Sequence, residues 1–152
     1  MTINIDNYHV YPWDVDWFTI ADGKYIHAMS FGGGIPWNVD VLGDNVRHLY
    51  EAYQLREMPE MECEVIYNNE YIDERLQPQY ERVGSDANQR TAIRERYLRH
   101  FTEMAKRGFY SFDRDVNENS VYHLIARPSR PLEEWNTEDV PALPSEWLSN
   151  IL

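Results

Sequence analysis

Residues 14–31, DVDWFTIADGKYIHAMSF, decide how this chain folds. Asp22-Gly23 lies between two runs rich in large apolar side chains. Asp-Gly in that setting signals a two-residue type I′ turn, because both central positions need left-handed backbone. The predicted hairpin pairs Asp14 to Ala21 with Lys24 to Phe31. The turn fixes the register: Ile20 faces Tyr25, Phe18 faces His27 and Asp16 faces Met29, while Trp17, Thr19, Ile26 and Ala28 take the other face. Large apolar groups on both faces imply central strands covered on both sides.

Downstream, Gly32-Gly33-Gly34 permits backbone angles closed to other residues, and Pro36 suits the first turn of a helix. Val46, Leu49, Tyr50 and Tyr53 recur at helical spacing, with Gly43 as a break, Asp44 as a cap and Pro59 as a stop. Met61, Cys63, Val65 and Tyr67 alternate as in a short strand. From Tyr67 to Gly84 the pattern reads as loop with a helical turn. Ser85 or Asp86 opens the clearest helix, with Ile93, Tyr97, Phe101, Met104 and Ala105 on one stripe and Gly108 just past its end. Phe109 to Asp113 and Val121 to Arg127 read as a second hairpin. After about residue 128, Pro131, Pro141 and Pro144 imply a mostly extended tail pinned by Trp135 and Trp147, with a last helical turn from Ser145. The expected fold is α+β: one domain over residues 1–152, with an antiparallel sheet from two hairpins and helices packed against it.

The chain has 152 residues with 26 acids against 14 Lys and Arg, a net charge of −12. That field argues against nucleic acid and anionic membrane as partners, since phosphate binding needs Lys and Arg. It favours basic proteins, or simple solubility. With an apolar share of 43% the chain is too hydrophobic for a disordered acidic polypeptide. The single Cys63 forbids an internal disulfide and fits a reducing compartment. No apolar run is long enough to span a bilayer, and the N-terminus lacks a signal-peptide layout, so a cytoplasmic protein is expected.

Chemistry-bearing motifs are few. The glycine triplet resembles a phosphate cradle, but Ile35-Pro36-Trp37 follows instead of Gly-Lys-Ser/Thr, and the plainer reading is a tight strand-to-helix connection. Asp44, His48 and Glu51 share a helical face and form a possible divalent-ion trio, without any zinc-binding spacing. Asp14 and Asp16 beside Trp13 and Trp17 form a carboxylate pair; the plainer reading is a strand entry whose aspartates bond nearby backbone N–H groups. His27 reads as a half-buried sheet residue. Cys63 lies between Glu62 and Glu64, which raise its thiol pKa and suppress nucleophilic chemistry. No catalytic residue, metal site or cofactor is assigned.

The acidic run is the most informative polar feature. Between Glu57 and Glu74 there are seven acids and no Lys or Arg. Glu60, Glu62, Glu64, Glu70, Asp73 and Glu74 are candidate charged contacts for a basic partner, with Tyr67 and Tyr71 as candidate anchors. The helix from Arg90 to Arg107 is locally basic, and pairing with the run would neutralise part of that surface.

Two stretches carry a resemblance. One is Asp16-Trp17-Phe18-Thr19-Ile20-Ala21-Asp22-Gly23, continuing through His27 to Ser30-Phe31-Gly32-Gly33-Gly34-Ile35-Pro36. The other is Arg107-Gly108-Phe109-Tyr110-Ser111-Phe112-Asp113-Arg114 with Tyr122-His123-Leu124-Ile125-Ala126-Arg127-Pro128. Together they resemble small bacterial immunity-type proteins found beside polymorphic or contact-dependent toxins. The resemblance covers the hairpins, under half the chain, and its motifs are structural. It implies a non-enzymatic protein that binds a cognate, basic, nuclease-like toxin domain and occludes it. The alternatives are a cytosolic protein-binding or regulatory module without a toxin partner and, third, a small metal- or carboxylate-dependent enzyme. The toxin's identity and the oligomeric state are not written in this chain.

Overall fold

The computed structural model describes residues 1–10, 14–21, 23–36, 60, 62–130 and 149–150. In chain order the strands are β1 (Thr2–Asn4), β2 (Tyr8–Val10), β3 (Asp16–Ala21), β4 (Lys24–Met29), β5 (Gly34–Pro36) and β6 (Val65–Tyr67). Helices α1 (Asn69–Val83) and α2 (Ala87–Lys106) follow, then β7 (Phe109–Arg114), β8 (Val121–Pro128) and β9 (Ser149–Asn150). The Asp44–Glu51 trio, the helical pattern between Trp37 and Pro59, and nearly all of the tail lie outside the described residues.

The first hairpin forms in the expected register, with Phe18 opposite His27, Trp17 opposite Ala28 and Asp16 opposite Met29. Gly23 has the left-handed φ of 71° that the tight turn demands. The second hairpin, β7 with β8, is also antiparallel, with a register shift between Ser111 and Phe112. The two hairpins join in one sheet ordered β1-β8-β7-β4-β3-β9, in which β6 also pairs with β8. The joint itself is parallel: Tyr25 to Met29 runs alongside Phe109 to Asp113. Parallel neighbours need a long crossover, and α1 and α2 lie within it. The architecture is α+β, with both described helices packed against a mostly antiparallel sheet.

Each face of the sheet has its own core. On one, Trp17, Ile26, Ala28, Tyr110, Phe112, Tyr122 and Leu124 pack with Ile5 and Ile35. Trp17 Nε1 donates to the Tyr122 hydroxyl at 3.2 Å, which donates to Gly34 O at 2.6 Å. Those two bonds tie both hairpins to β5 and leave neither polar atom unpaired in an apolar layer. On the other face, Ile72, Leu76 and Tyr80 of α1 and Ile93, Leu98, Phe101 and Ala105 of α2 cover Ile125 and Ala126. Fully burying side chains of this kind stabilises by roughly 1.5–3 kcal/mol each.

Two local expectations are corrected. Residues 69–83 form a full helix rather than a loop with one helical turn. Pro78 lies inside it and costs about 3 kcal/mol in a helix interior. The burial of Ile72, Leu76 and Tyr80, spaced four residues apart, outweighs that cost. The Asn68 side chain caps the start by accepting from Tyr71 N. Pro36 itself lies in a strand rather than in the first turn of a helix: it ends β5, pairing with Tyr8 of β2, and the residues that follow lie outside those described. A proline can end a short edge strand because no ladder donor is needed there. The helix at 87–106 begins at Asp86, whose carboxylate accepts from Asn88 N and Gln89 N, as its sequence signal indicates.

Candidate functional site

The acidic run divides into tied and untied charges. Asp73 pairs with Arg94 at 3.3 Å, and Glu60 lies 3.8 Å from Arg107. Both cations belong to the basic segment of α2 and its cap, so that segment does neutralise part of the run. Glu62, Glu64, Glu70 and Glu74 are exposed and have no ion pair among the described residues. Glu62 and Glu64 precede β6; Glu70 and Glu74 lie on the first two turns of α1. Glu70, in the first turn, also complements the positive end of the helix dipole.

The two tyrosines are engaged internally. Tyr67, half-buried, bonds Thr102 through its hydroxyl at 2.8 Å. Tyr71 stacks on His123, with centroids 3.9 Å apart and planes 21° apart, and accepts from Arg75 at 3.1 Å. Among the described residues of the run, Ile66 is an exposed apolar one, 41% accessible.

Behind Tyr71 is a buried ionic cluster that the sequence did not announce. Asp113 takes the Arg75 guanidinium at 3.1 Å, the Tyr97 hydroxyl at 2.6 Å and its neighbour Arg114's amide at 3.0 Å. Arg75 also donates to Arg114 O at 2.6 Å. Burial pushes the Asp113 carboxyl above the ordinary carboxylate value, while Arg75, Tyr97 and the Arg114 amide pull it back. Burial, then the neighbouring Asp113 charge, push the Tyr97 hydroxyl far above an ordinary tyrosine, so it stays a donor. Three elements, α1, α2 and β7, thus meet at one carboxylate. Nearby, Asp115 accepts from His123, Asn117 N and Glu118 N. Although burial opposes its charge, those bonds hold it below the ordinary range.

A Ser–His–Asp chain also forms. His27 Nδ1 lies 2.7 Å from Ser111 Oγ and Nε2 lies 3.2 Å from Asp16 Oδ1. Position in the sheet creates it: His27 is the register partner of Ser111 on one side and of Phe18 on the other, with Asp16 two residues from Phe18. Ser111 has 0% of its surface accessible, so no substrate carbonyl can reach its oxygen. The chain satisfies buried polar groups, and His27 is buried rather than half-buried. Sequence reading missed it because a parallel contact spanning 84 residues leaves no local spacing signal.

The other candidates resolve into structural roles. Asp14 accepts the Phe31 N–H at 2.7 Å, a strand-entry bond of the kind expected. Phe31 takes a left-handed φ of 47° and is 60% exposed, with Arg114 donating to its carbonyl at 3.2 Å. Such a conformation costs about 1–3 kcal/mol in a non-glycine residue and persists only where neighbours enforce it. In the glycine triplet, Gly33 N donates to Ser30 O and Gly34 N to Asn119 O, so these amides are unavailable to a phosphate. A Cβ on Gly33 would lie 1.7 Å from the Arg114 side chain; the residue is small because that arginine crosses it. The Cys63 thiol is raised as expected, but burial is the leading cause, against the Ser129 amide and Arg130. Among the described residues, no group of three His, Cys, Asp or Glu can hold a metal ion. Among them too, no helix is long and apolar enough to cross a membrane.

No protein-family model matches this chain, and neither curated proteins nor solved structures show significant similarity to it.

Proposed function

We propose that this chain is an immunity-type protein, which binds a basic toxin domain and neutralises it by covering its working surface. The observation that carries the reading is the quartet Glu62, Glu64, Glu70 and Glu74, which has no ion pair among the described residues, where Asp73 and Glu60 are paired. Unpaired acids of one sign on adjacent elements attract a basic partner from a distance and speed its capture. They also mimic the charge of a phosphate backbone, which suits inhibition of a nuclease-like site. Tyr67 and Tyr71 stiffen this surface through Thr102 and His123, and Ile66 supplies exposed apolar area beside the charges. The hairpin resemblance supplies the toxin-neutralising context. The buried Ser111 argues against the hydrolytic use of the His27 chain.

The test is co-expression with the protein encoded immediately upstream. Cell survival and co-purification are measured at low and high salt. The intact chain is expected to protect cells and to co-purify, more weakly at high salt. The variant carrying Glu62→Lys, Glu64→Lys, Glu70→Lys and Glu74→Lys is expected to lose affinity by at least about tenfold. Full protection by that variant would overturn the assignment of this face, and no complex with the upstream product would overturn the toxin partner.

A further inference from the structure

We propose that β6 is where the partner adds to this sheet, by laying an extended basic segment alongside it as a further strand. The inference rests on the protein-binding reading above and names its mode. The phase of the β6–β8 ladder is fixed by two bonds, Ser129 N to Glu64 O at 2.8 Å and Asn68 N to Ile125 O at 3.0 Å. With Ile66 opposite Arg127, residues 64, 66 and 68 turn their backbone groups toward β8. Val65 and Tyr67 therefore turn their N–H and C=O groups away from β8, toward an edge where no described strand pairs with them. Such an edge is a template for another strand.

Its chemistry selects the occupant. Val65 and Tyr67 pack their side chains into the helix-covered core, whereas Ile66 remains exposed on the opposite face. Glu62 and Glu64 flank one end of the strand, and Glu70 and Glu74 follow the other. A second copy of this chain would set acids against acids across the new ladder, so self-pairing is disfavoured. A segment bearing Lys or Arg on alternate residues meets the opposite charge at both ends while its backbone completes the ladder. Backbone bonds supply attachment, and the flanking acids supply choice.

The experiment uses the full chain, isotope-labelled, titrated with the hexapeptide Lys-Val-Lys-Val-Lys-Val and with its counterpart having Glu in place of each Lys. Amide hydrogen exchange is read residue by residue. With the lysine peptide, exchange at Val65 and Tyr67 is expected to slow by about tenfold or more, while Ile66, already bonded within the sheet, changes little. The glutamate peptide is expected to do neither. In parallel, Val65→Pro removes an outward N–H without breaking a bond to β8, and with folding checked by the retained exchange protection of Ile66 it is expected to weaken lysine-peptide binding about three- to tenfold. Salt-sensitive binding that leaves Val65 and Tyr67 exchange unchanged overturns strand addition while keeping the acidic docking face. The absence of any salt-sensitive binding overturns both.

Discussion

Helix α1 carries charge in two opposite settings. Arg75 is turned inward to Asp113, with side chains only 8% and 5% exposed, and Tyr97 completes the pair. Glu70 and Glu74, on the same helix, stand in solvent without a counter-charge among the described residues. The inner charges are held by short bonds from fixed directions, so they report on how α1, α2 and β7 are assembled. Among the described residues the outer charges make no ion pair, so they add little to the fold beyond the dipole complement from Glu70, and they carry the proposed binding role. Burial is what separates the two: a desolvated ion without its partner is costly, while an exposed one costs almost nothing until something approaches it.

Breaking the inner cluster gives the largest expected effect. Asp113→Ala leaves Arg75 buried with only neutral acceptors and is expected to lower unfolding free energy by about 3–5 kcal/mol, read from the urea midpoint. A loss below about 1 kcal/mol would show that water reaches the cluster and would erase the contrast with the outer quartet. Tyr97→Phe removes one donor to the carboxylate while keeping the ring. Its expected cost is about 1.5–3 kcal/mol, the range for a hydrogen bond to a charged group. The smallest effect on stability is expected where binding suffers most. Reversing Glu62, Glu64, Glu70 and Glu74 to Lys changes the net charge from −12 to −4, since each replacement adds two charges and four add eight. Unfolding free energy is expected to move by less than about 1 kcal/mol, because exposed substitutions rarely do more and reduced self-repulsion offsets losses. A large destabilisation would mean that the quartet belongs to the fold and would remove it as a docking surface.

The sequence by itself determined the local pieces. Asp22-Gly23 set the first hairpin and its register, Asp86 and Gly108 bracketed α2, and the alternation around Val65 marked β6. Helix α1 was hidden by Pro78, although Ile72, Leu76 and Tyr80 carried its period. There a local propensity signal masked a tertiary one, because buried area can outweigh the cost of one proline. The acidic run was legible as a run, but its division into paired Asp73 and Glu60 and, among the described residues, unpaired Glu62, Glu64, Glu70 and Glu74 was not. Only the tertiary structure decided that β4 lies parallel to β7, that His27 meets Ser111, and that Arg75 meets Asp113. It also decided that Val65 and Tyr67 turn their backbone groups away from β8, toward an edge that no described strand fills. Turns, caps and periodicities are fixed by neighbours a few residues apart, so a single sequence displays them. Contacts between distant segments depend on which buried surfaces close against one another, and no spacing in the chain records that choice.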